Sequence, residues 1–498
     1  MNLAKAAETL RDTQEKMFAY GHALNVMNYD GQTVAPKQSA GMRGDTSALL
    51  AGVMFEMTVA PETIEAVQTV LADPDADAVL RRQAVLLSER QQEFVNLPKA
   101  EFMQYQKLLS DAEAAWIDAK KASDFDAFAP CLAELVRLTR LFAGYKNSKL
   151  APYDVQLDTF EKGASMATLD PFFDLMKKEL TPLIRAIGEK PAPDISFLEA
   201  SYPIPQQRVL SDRVMALMGL DRARSTIGES AHPFPSGFEP NDVRITTHYH
   251  EHMMASSLYS VIHEGGHALY ELGVDPAYNK TVLMGGVSMG IHESQSRFYE
   301  NIIGRSRPFV TVLHPLITEL FPAQMAGVSV DALYHALNRA EPSLIRTEAD
   351  ELTYCMHIIV RYELEKRLMD GSLPVRDLPG EWNRLYKELL GVTVPDDAQG
   401  VLQDVHWANG AFGYFPSYAL GSAYGAQMLR AMQKDVDVWA TVAAGRLQPI
   451  NAWLDEKIHR YGQLLTPEEV FRNATGESFD PQVFVDYLRG KYTGLYGL

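Results

Sequence analysis

The chain is poor in cysteine: Cys131 and Cys355 are its only two in 498 residues. A disulfide framework and a cysteine-based zinc site are therefore excluded. Two buried thiols in a reducing cytosol are expected instead. No run of about 18 uncharged apolar residues occurs, so no transmembrane helix is expected. Residues 1–17 are charged and amphipathic and lack the apolar segment of a signal peptide, which points to the cytoplasm. Positive charge is also scarce, with 46 Lys+Arg against 64 Asp+Glu and a net charge of −18. That balance argues against nucleic acid and against an anionic membrane surface as partners. No repeat of 20–50 residues is visible, so a solenoid is not indicated.

What is present is ordinary globular material: 46% hydrophobic and 22% charged residues. The length gives a prior of about three domains. Ala, Leu, Glu, Gln and Lys at helical spacing predict helices over 78–110 and 111–145. Further helices are expected at 170–190, opened by Asp170-Pro171, and at 252–272, 288–304, 343–369 and 416–432, among others. Asp242 to Tyr249 alternates apolar and polar residues and reads as a strand.

The strongest chemical signal is His263-Glu264-Gly265-Gly266-His267. Residues four apart share one helix face, so both imidazoles can bind one Zn²⁺. Glu264 adjoins the first ligand and can take a proton from metal-activated water. Two glycines mid-helix cost about 1 kcal/mol each relative to Ala, so something is expected to approach that backbone closely. A catalytic zinc needs a third protein ligand, here His or a carboxylate. Glu293, Ser296, Arg297 and Glu300 form one polar stripe on helix 288–304, and Glu293 stands near its start. Spacing alone leaves open a plain Glu293–Arg297 surface ion pair. His248, His250 and His252 alternate at a strand-to-helix junction, where their side chains should diverge rather than share a second metal.

Several motifs follow one another in order. They are His232-Pro233-Phe234, Asp242-Val243-Arg244-Ile245-Thr246, the helix His263 to His267, His292-Glu293-Ser294-Gln295, Ile345-Arg346-Thr347-Glu348-Ala349-Asp350, and Gly400-Val401-Leu402-Gln403-Asp404-Val405-His406-Trp407. In these the chain resembles the carboxypeptidase Taq family of metallocarboxypeptidases over nearly its whole length. The resemblance implies a zinc-dependent enzyme, with cobalt as the alternative metal, that removes single C-terminal amino acids from peptides. It implies a mainly α fold: a large saddle-shaped helical body with a deep active-site groove and a small β-sheet near the metal. Residues 1–498 would form a single catalytic unit of two helical lobes, commonly a homodimer. In the family pattern Glu293 is the third ligand.

A carboxypeptidase must recognise a free carboxylate, and the planar fork of Arg suits it. Arg346 is the candidate, placed on helix 343–369; a structural Arg346–Asp350 pair is the alternative. His406 and Tyr418 are candidate oxyanion donors, and His232, in a proline-flanked loop, is a candidate substrate contact. For each, a satisfied buried side chain is the plain alternative. Strand 242–249 either offers an exposed edge to an extended peptide or lies inside a small sheet. A metalloendopeptidase on a related scaffold is the rival function, since the same zinc helix serves both.

Overall fold

The computed structural model describes residues 1–498, apart from the side chains of Phe94, Val95 and Lys99. The fold is mainly α. Before the sheet come α1 (Leu3–Thr33), α2 (Ala40–Thr58), α3 (Pro61–Ala72), α4 (Ala78–Val95), α5 (Lys99–Ala122), α6 (Phe125–Lys146), α7 (Pro152–Phe160), α8 (Met166–Gly188) and α9 (Ile204–Met218). The predicted junction near residue 110 is not a helix end. The chain breaks instead at Pro98, which disfavours helix in the residue before it, and at Ser123, which is left-handed at φ 54°. Asp124 then caps α6 by accepting from the Ala127 amide. Helix α8 likewise starts before the predicted Asp170-Pro171, at a Ser165–Thr168 capping box.

The sheet contains β1 (Ser225–Glu229), β2 (Pro235–Glu239) and β3 (Asp242–Thr247), in the order β1-β3-β2. β3 runs parallel to β1 and antiparallel to β2. Both of its edges are therefore occupied, and the expectation of an exposed edge for peptide pairing does not hold. The motif on β3 has structural work to do. The Arg244 guanidinium is held by Asp242 and lies 5.2 Å from the ring centre of Tyr29 and 4.4 Å from that of Phe238, docking α1 on the sheet. The Thr246 hydroxyl oxygen accepts from the Phe234 amide and from Ser230 Oγ, shaping the loop that holds His232.

After the sheet come α10 (Met254–Gly273), α11 (Met289–Arg297, continued by a π-helical turn over Phe298–Ile303), α12 (Arg307–Leu320), α13 (Val330–Leu337), α14 (Tyr354–Asp370), α15 (Leu378–Leu389) and α16 (Phe415–Met432), then shorter helices to the C-terminus. Helix 343–369 was expected to be continuous, but α14 begins only at Tyr354. Asp350 explains the difference: its carboxylate accepts the amides of Leu352 and Thr353 and the Thr353 hydroxyl, fixing a turn. Arg346 sits in a short 3₁₀ turn, Arg346–Glu348, off the helix.

One contiguous hydrophobic core runs from Ala112 to Tyr492. A second, small cluster joins α1, α3 and α4, and Val282 from the segment after α10 packs into it. No helix among the described residues is long and apolar enough to cross a membrane.

Candidate metal centre

Helix α10 presents His263, His267 and Glu271 at i, i+4 and i+8, so all three share one face. Helix α11 runs against that face, and its π-helical turn carries Glu300 into register with His263. Gly266 permits the approach: a Cβ there would stand 2.6 Å from the Gln295 carbonyl oxygen and 2.7 Å from Ser296 Cα. The costly mid-helix glycine thus admits a neighbouring helix. On its other side α11 meets Gly421 of α16, where a Cβ would lie 2.7 Å from Glu293 Cβ and Cγ. Glu293 is clamped between two helices.

Nε2 of His263 and Nε2 of His267 lie 3.8 and 3.4 Å from the same Glu293 oxygen, Oε2. The three donor atoms all fall within 4.8 Å of one another. The remaining nitrogens point outward. His263 Nδ1 bonds Glu300 Oε2 at 2.8 Å, and His267 Nδ1 lies 2.6 Å from His292 Nδ1. Arg297 Nε donates to the other Glu293 oxygen at 2.8 Å and pairs with Glu300 at 3.1 Å. The predicted polar stripe on α11 and its π-helical turn is therefore turned inward, Glu293 and Ser296 buried and Arg297 and Glu300 partly so, and the Glu293–Arg297 pair and the three-donor cluster coexist. Beside the donors, Glu264 is 5% exposed and its Oε2 is buried without a hydrogen-bond partner.

Electrostatics follow from this packing. Burial pushes the Glu264 carboxyl up to about 7, against the pull of His263. Burial holds His267 down at about 4, whereas for His263 burial is outweighed by Glu293 and Glu300, which raise it to about 9, so a cation binding here must displace the His263 proton. Burial works against ionisation of Glu293 and Glu300, yet His263 and Arg297 hold both below the carboxylate range, Glu300 at about 2. Two imidazole nitrogens and one free carboxylate oxygen, with an unpartnered buried carboxylate beside them, fit a divalent cation with an open position.

A second polar cluster surrounds Asp404. Arg346 reaches Asp404 Oδ1 through Nε at 3.0 Å and Nη2 at 2.9 Å, and Arg361 Nε reaches Oδ2 at 2.7 Å. The expected partner Asp350 is engaged in its own turn, so the helical Arg346–Asp350 pair is absent. Arg346 Nη1 donates to Tyr354 OH at 2.8 Å, and the guanidinium lies 4.9 Å from the Tyr418 ring centre. Arg297 covers the other ring, Tyr354, at 4.2 Å, which joins this cluster to Glu293. His406 Nε2 bonds Tyr418 OH at 3.2 Å, while its Nδ1 is buried and unpartnered. Burial, reinforced by Arg346, lowers His406 to about 3.

His232 stays exposed on the β1–β2 connection, and no hydrogen bond or ring contact among the described residues brings it to the metal donors. The rings of His248 and His250, expected to diverge, meet edge to face with centres 5.1 Å apart, without forming a second three-ligand group among the described residues. Sequence reasoning passed over Glu271, His292 and Tyr354. Glu271 was accessible, four residues past His267 on the same face, and His292 sits inside a quoted motif; Tyr354 carried no signal. A cleft of about 530 Å³ opens beside His292, between α4, α7 and the 286–289 segment.

The chain is similar to known proteins over nearly its whole length. A sequence profile described as carboxypeptidase Taq (M32) metallopeptidase matches residues 9–492. Carboxypeptidase 1 of Bacillus subtilis is 39% identical over 490 residues, 97% of each chain. Thermostable carboxypeptidase 1 of Thermus thermophilus is 36% identical over 483 residues, 94% of each. The M32 carboxypeptidase structure from Deinococcus radiodurans R1 superposes with a TM-score of 0.96 at 33% identity, covering 99% of this chain and all of that one. Metallocarboxypeptidase 1 of Trypanosoma cruzi gives 0.91 at 32% identity, covering 98% and 99%. With matches running from end to end on both sides, the chain belongs to the carboxypeptidase Taq (M32) metallopeptidase family and is a metallocarboxypeptidase, a hydrolase of C-terminal peptide bonds.

Proposed function

We propose that His263, His267 and Glu293 hold one divalent cation, zinc or cobalt, and that Glu264 is the general base in stepwise removal of single C-terminal residues from peptides. The observation that carries this is the convergence of two Nε2 atoms and Glu293 Oε2 beside the unpartnered Glu264 Oε2. When bound, the metal supplies Lewis-acid polarisation of the scissile carbonyl and acidifies water. Glu264 takes a proton from the attacking water and passes it to the leaving amine nitrogen. Its Oε2, buried and without a hydrogen-bond partner, is the oxygen available for both steps.

Arg346 fixes the substrate's C-terminal carboxylate. Its guanidinium has five N–H donors and uses three on Asp404 and Tyr354, leaving two for an incoming carboxylate. Arg346 and Arg361 share the single carboxylate of Asp404, so the buried trio keeps one net positive charge to attract an anion. Tyr418 donates to the developing oxyanion, with His406, whose Nε2 lies 3.2 Å from its hydroxyl, orienting it; that contact supports the reading. The 530 Å³ cleft beside His292 accommodates the peptide on the amino side, and His232 contacts substrate from its loop. Residues 1–498 act as one catalytic unit, two helical lobes around this cleft. The resemblance also implies a homodimer, which sedimentation of the purified protein checks.

The test is Glu264→Gln. The variant keeps the metal and loses nearly all turnover; near-normal activity would sink the assignment. Mass spectrometry on an N-terminally blocked peptide separates the endopeptidase reading. Stepwise loss of single C-terminal residues supports carboxypeptidase action, and internal fragments oppose it.

A further inference from the structure

The two imidazole donors are supported differently from behind. His263 meets a carboxylate directly: Nδ1 lies 2.8 Å from Glu300 Oε2, and that carboxylate is shared with Arg297 at 3.1 Å. His267 meets another imidazole, His292, nitrogen to nitrogen at 2.6 Å. Two ring nitrogens at that distance share one hydrogen, so one must donate and the other accept. The far side of His292 decides which. His292 Nε2 lies 2.7 Å from Glu271 Oε1, a carboxylate that accepts. With its ring hydrogen on Nε2, directed at that carboxylate, His292 has its lone pair on Nδ1. His267 must then donate from Nδ1, and its Nε2 is left with the lone pair that faces Glu293 Oε2.

The relay is built into the packing. Glu271 is on α10, one turn beyond His267, and His292 is on α11 beside Glu293. Gly286 closes over His292: a Cβ there would lie 2.5 Å from His292 Cδ2 and 2.8 Å from a Tyr270 ring carbon. The His267 and His292 rings stand 4.6 Å apart, and Tyr270 covers His292 at 5.1 Å. Burial would raise the Glu271 carboxyl, but the His292 bond and the Gly286 amide more than offset it, so the group stays an acceptor.

We propose that Glu271 and His292 are positioning residues that set the tautomer of His267 through a two-link hydrogen-bond relay, and thereby set how tightly the protein holds its divalent cation. The inference rests on the reading of His267 as a metal ligand. Outer partners of this kind change metal affinity by about 10- to 100-fold when removed. The relay also makes the sites behind the two ligands unequal: Glu300 shares its charge with Arg297, whereas among the described residues Glu271 has no Arg or Lys within 4.0 Å.

The test compares Glu271→Leu, His292→Phe and His292→Gln with the parent. Affinity for Zn²⁺ and Co²⁺ is read by competition with a chromophoric chelator, and ligand geometry by the visible absorption of bound Co²⁺. Glu271→Leu removes the end acceptor and His292→Phe the middle link, and both weaken binding by about 10- to 100-fold and shift the Co²⁺ bands. His292→Gln stays close to the parent, because its amide can accept from His267 Nδ1 and donate to Glu271. Parent-like affinity and spectra in both Glu271→Leu and His292→Phe overturn the proposal. Equal losses in His292→Gln and His292→Phe also overturn it, since they report packing rather than the relay. If Glu271→Leu does not fold, the His292 pair alone decides. His267→Ala that still binds metal like the parent overturns the ligand reading itself, and the relay with it.

Discussion

Arg346 is 6% exposed and already shares its charge with Asp404, yet two of its N–H donors remain for a ligand. Such charge-assisted hydrogen bonds contribute about 1.5–3 kcal/mol, a factor of roughly 10 to 150. Arg346→Met is expected to lower the preference for a free-acid peptide over its C-terminal amide by that factor, mainly through KM. Paired kinetics on the two peptides check this, and an unchanged ratio contradicts the role. Glu365 shows a different residue-scale effect. It is fully buried, accepts from Tyr153, Trp407 and the Gly413 amide, and burial pushes it from 4.5 up to about 7. The folded state then holds a proton that the unfolded chain releases. Its contribution to stability is complete below about 4.5 and declines as pH rises through about 7, by roughly 3 kcal/mol in all. Glu365→Gln is expected to flatten the fall in urea midpoint between pH 5 and pH 8. An identical slope in the variant would refute the assignment.

Elements bring the site together, and their contacts explain what could be read in advance. The i,i+4 histidines placed α10 and its metal face in plain sight, because a helix period fixes which side chains share a face. The start of α14 was not legible, because a single carboxylate, Asp350, overrides periodicity by local capping. The partners Glu300 for His263 and Asp404 for Arg346 lie 37 and 58 residues away in sequence, and no spacing rule links them. Glycine packing was half legible: the cost of Gly265 and Gly266 announced a close approach, but not that α11 was the visitor. That packing reverses the usual sign of a Gly→Ala change. In an exposed helix Ala is favoured by about 1 kcal/mol. Gly44 on α2, where a Cβ meets nothing within 4 Å, should follow the rule and gain stability. Gly266→Ala must push α11 away from α10 and is expected to cost about 1–3 kcal/mol, with at least a tenfold loss of metal affinity. Chemical denaturation and metal competition on the two variants check the contrast; a stabilised Gly266→Ala would contradict the close approach.

At the scale of the molecule, length suggested about three domains, while the packing shows one core from Ala112 to Tyr492 and a small cluster on α1, α3 and α4. The polar clusters around Glu293 and Asp404 draw on residues from 263 to 418 and are joined through Arg297 and Tyr354, so the segments between them share one interior. The three proposed metal donors belong wholly to α10 and α11, inside the large core. A bound cation therefore stabilises that core directly, and the N-terminal cluster only through contacts such as Val282. With free metal at about a thousand times Kd, binding adds roughly 4 kcal/mol. Unfolding entropy of about 2 cal/mol/K per residue converts this to a rise of roughly 5 °C in the main transition for a body of this size. Scanning calorimetry with chelator, and then with added Zn²⁺ or Co²⁺, is expected to show that rise. Glu293→Ala should abolish it, because the helix clamp on α11 would then have no carboxylate to offer. A main transition that ignores metal in the parent protein would remove the metal from the centre of this fold.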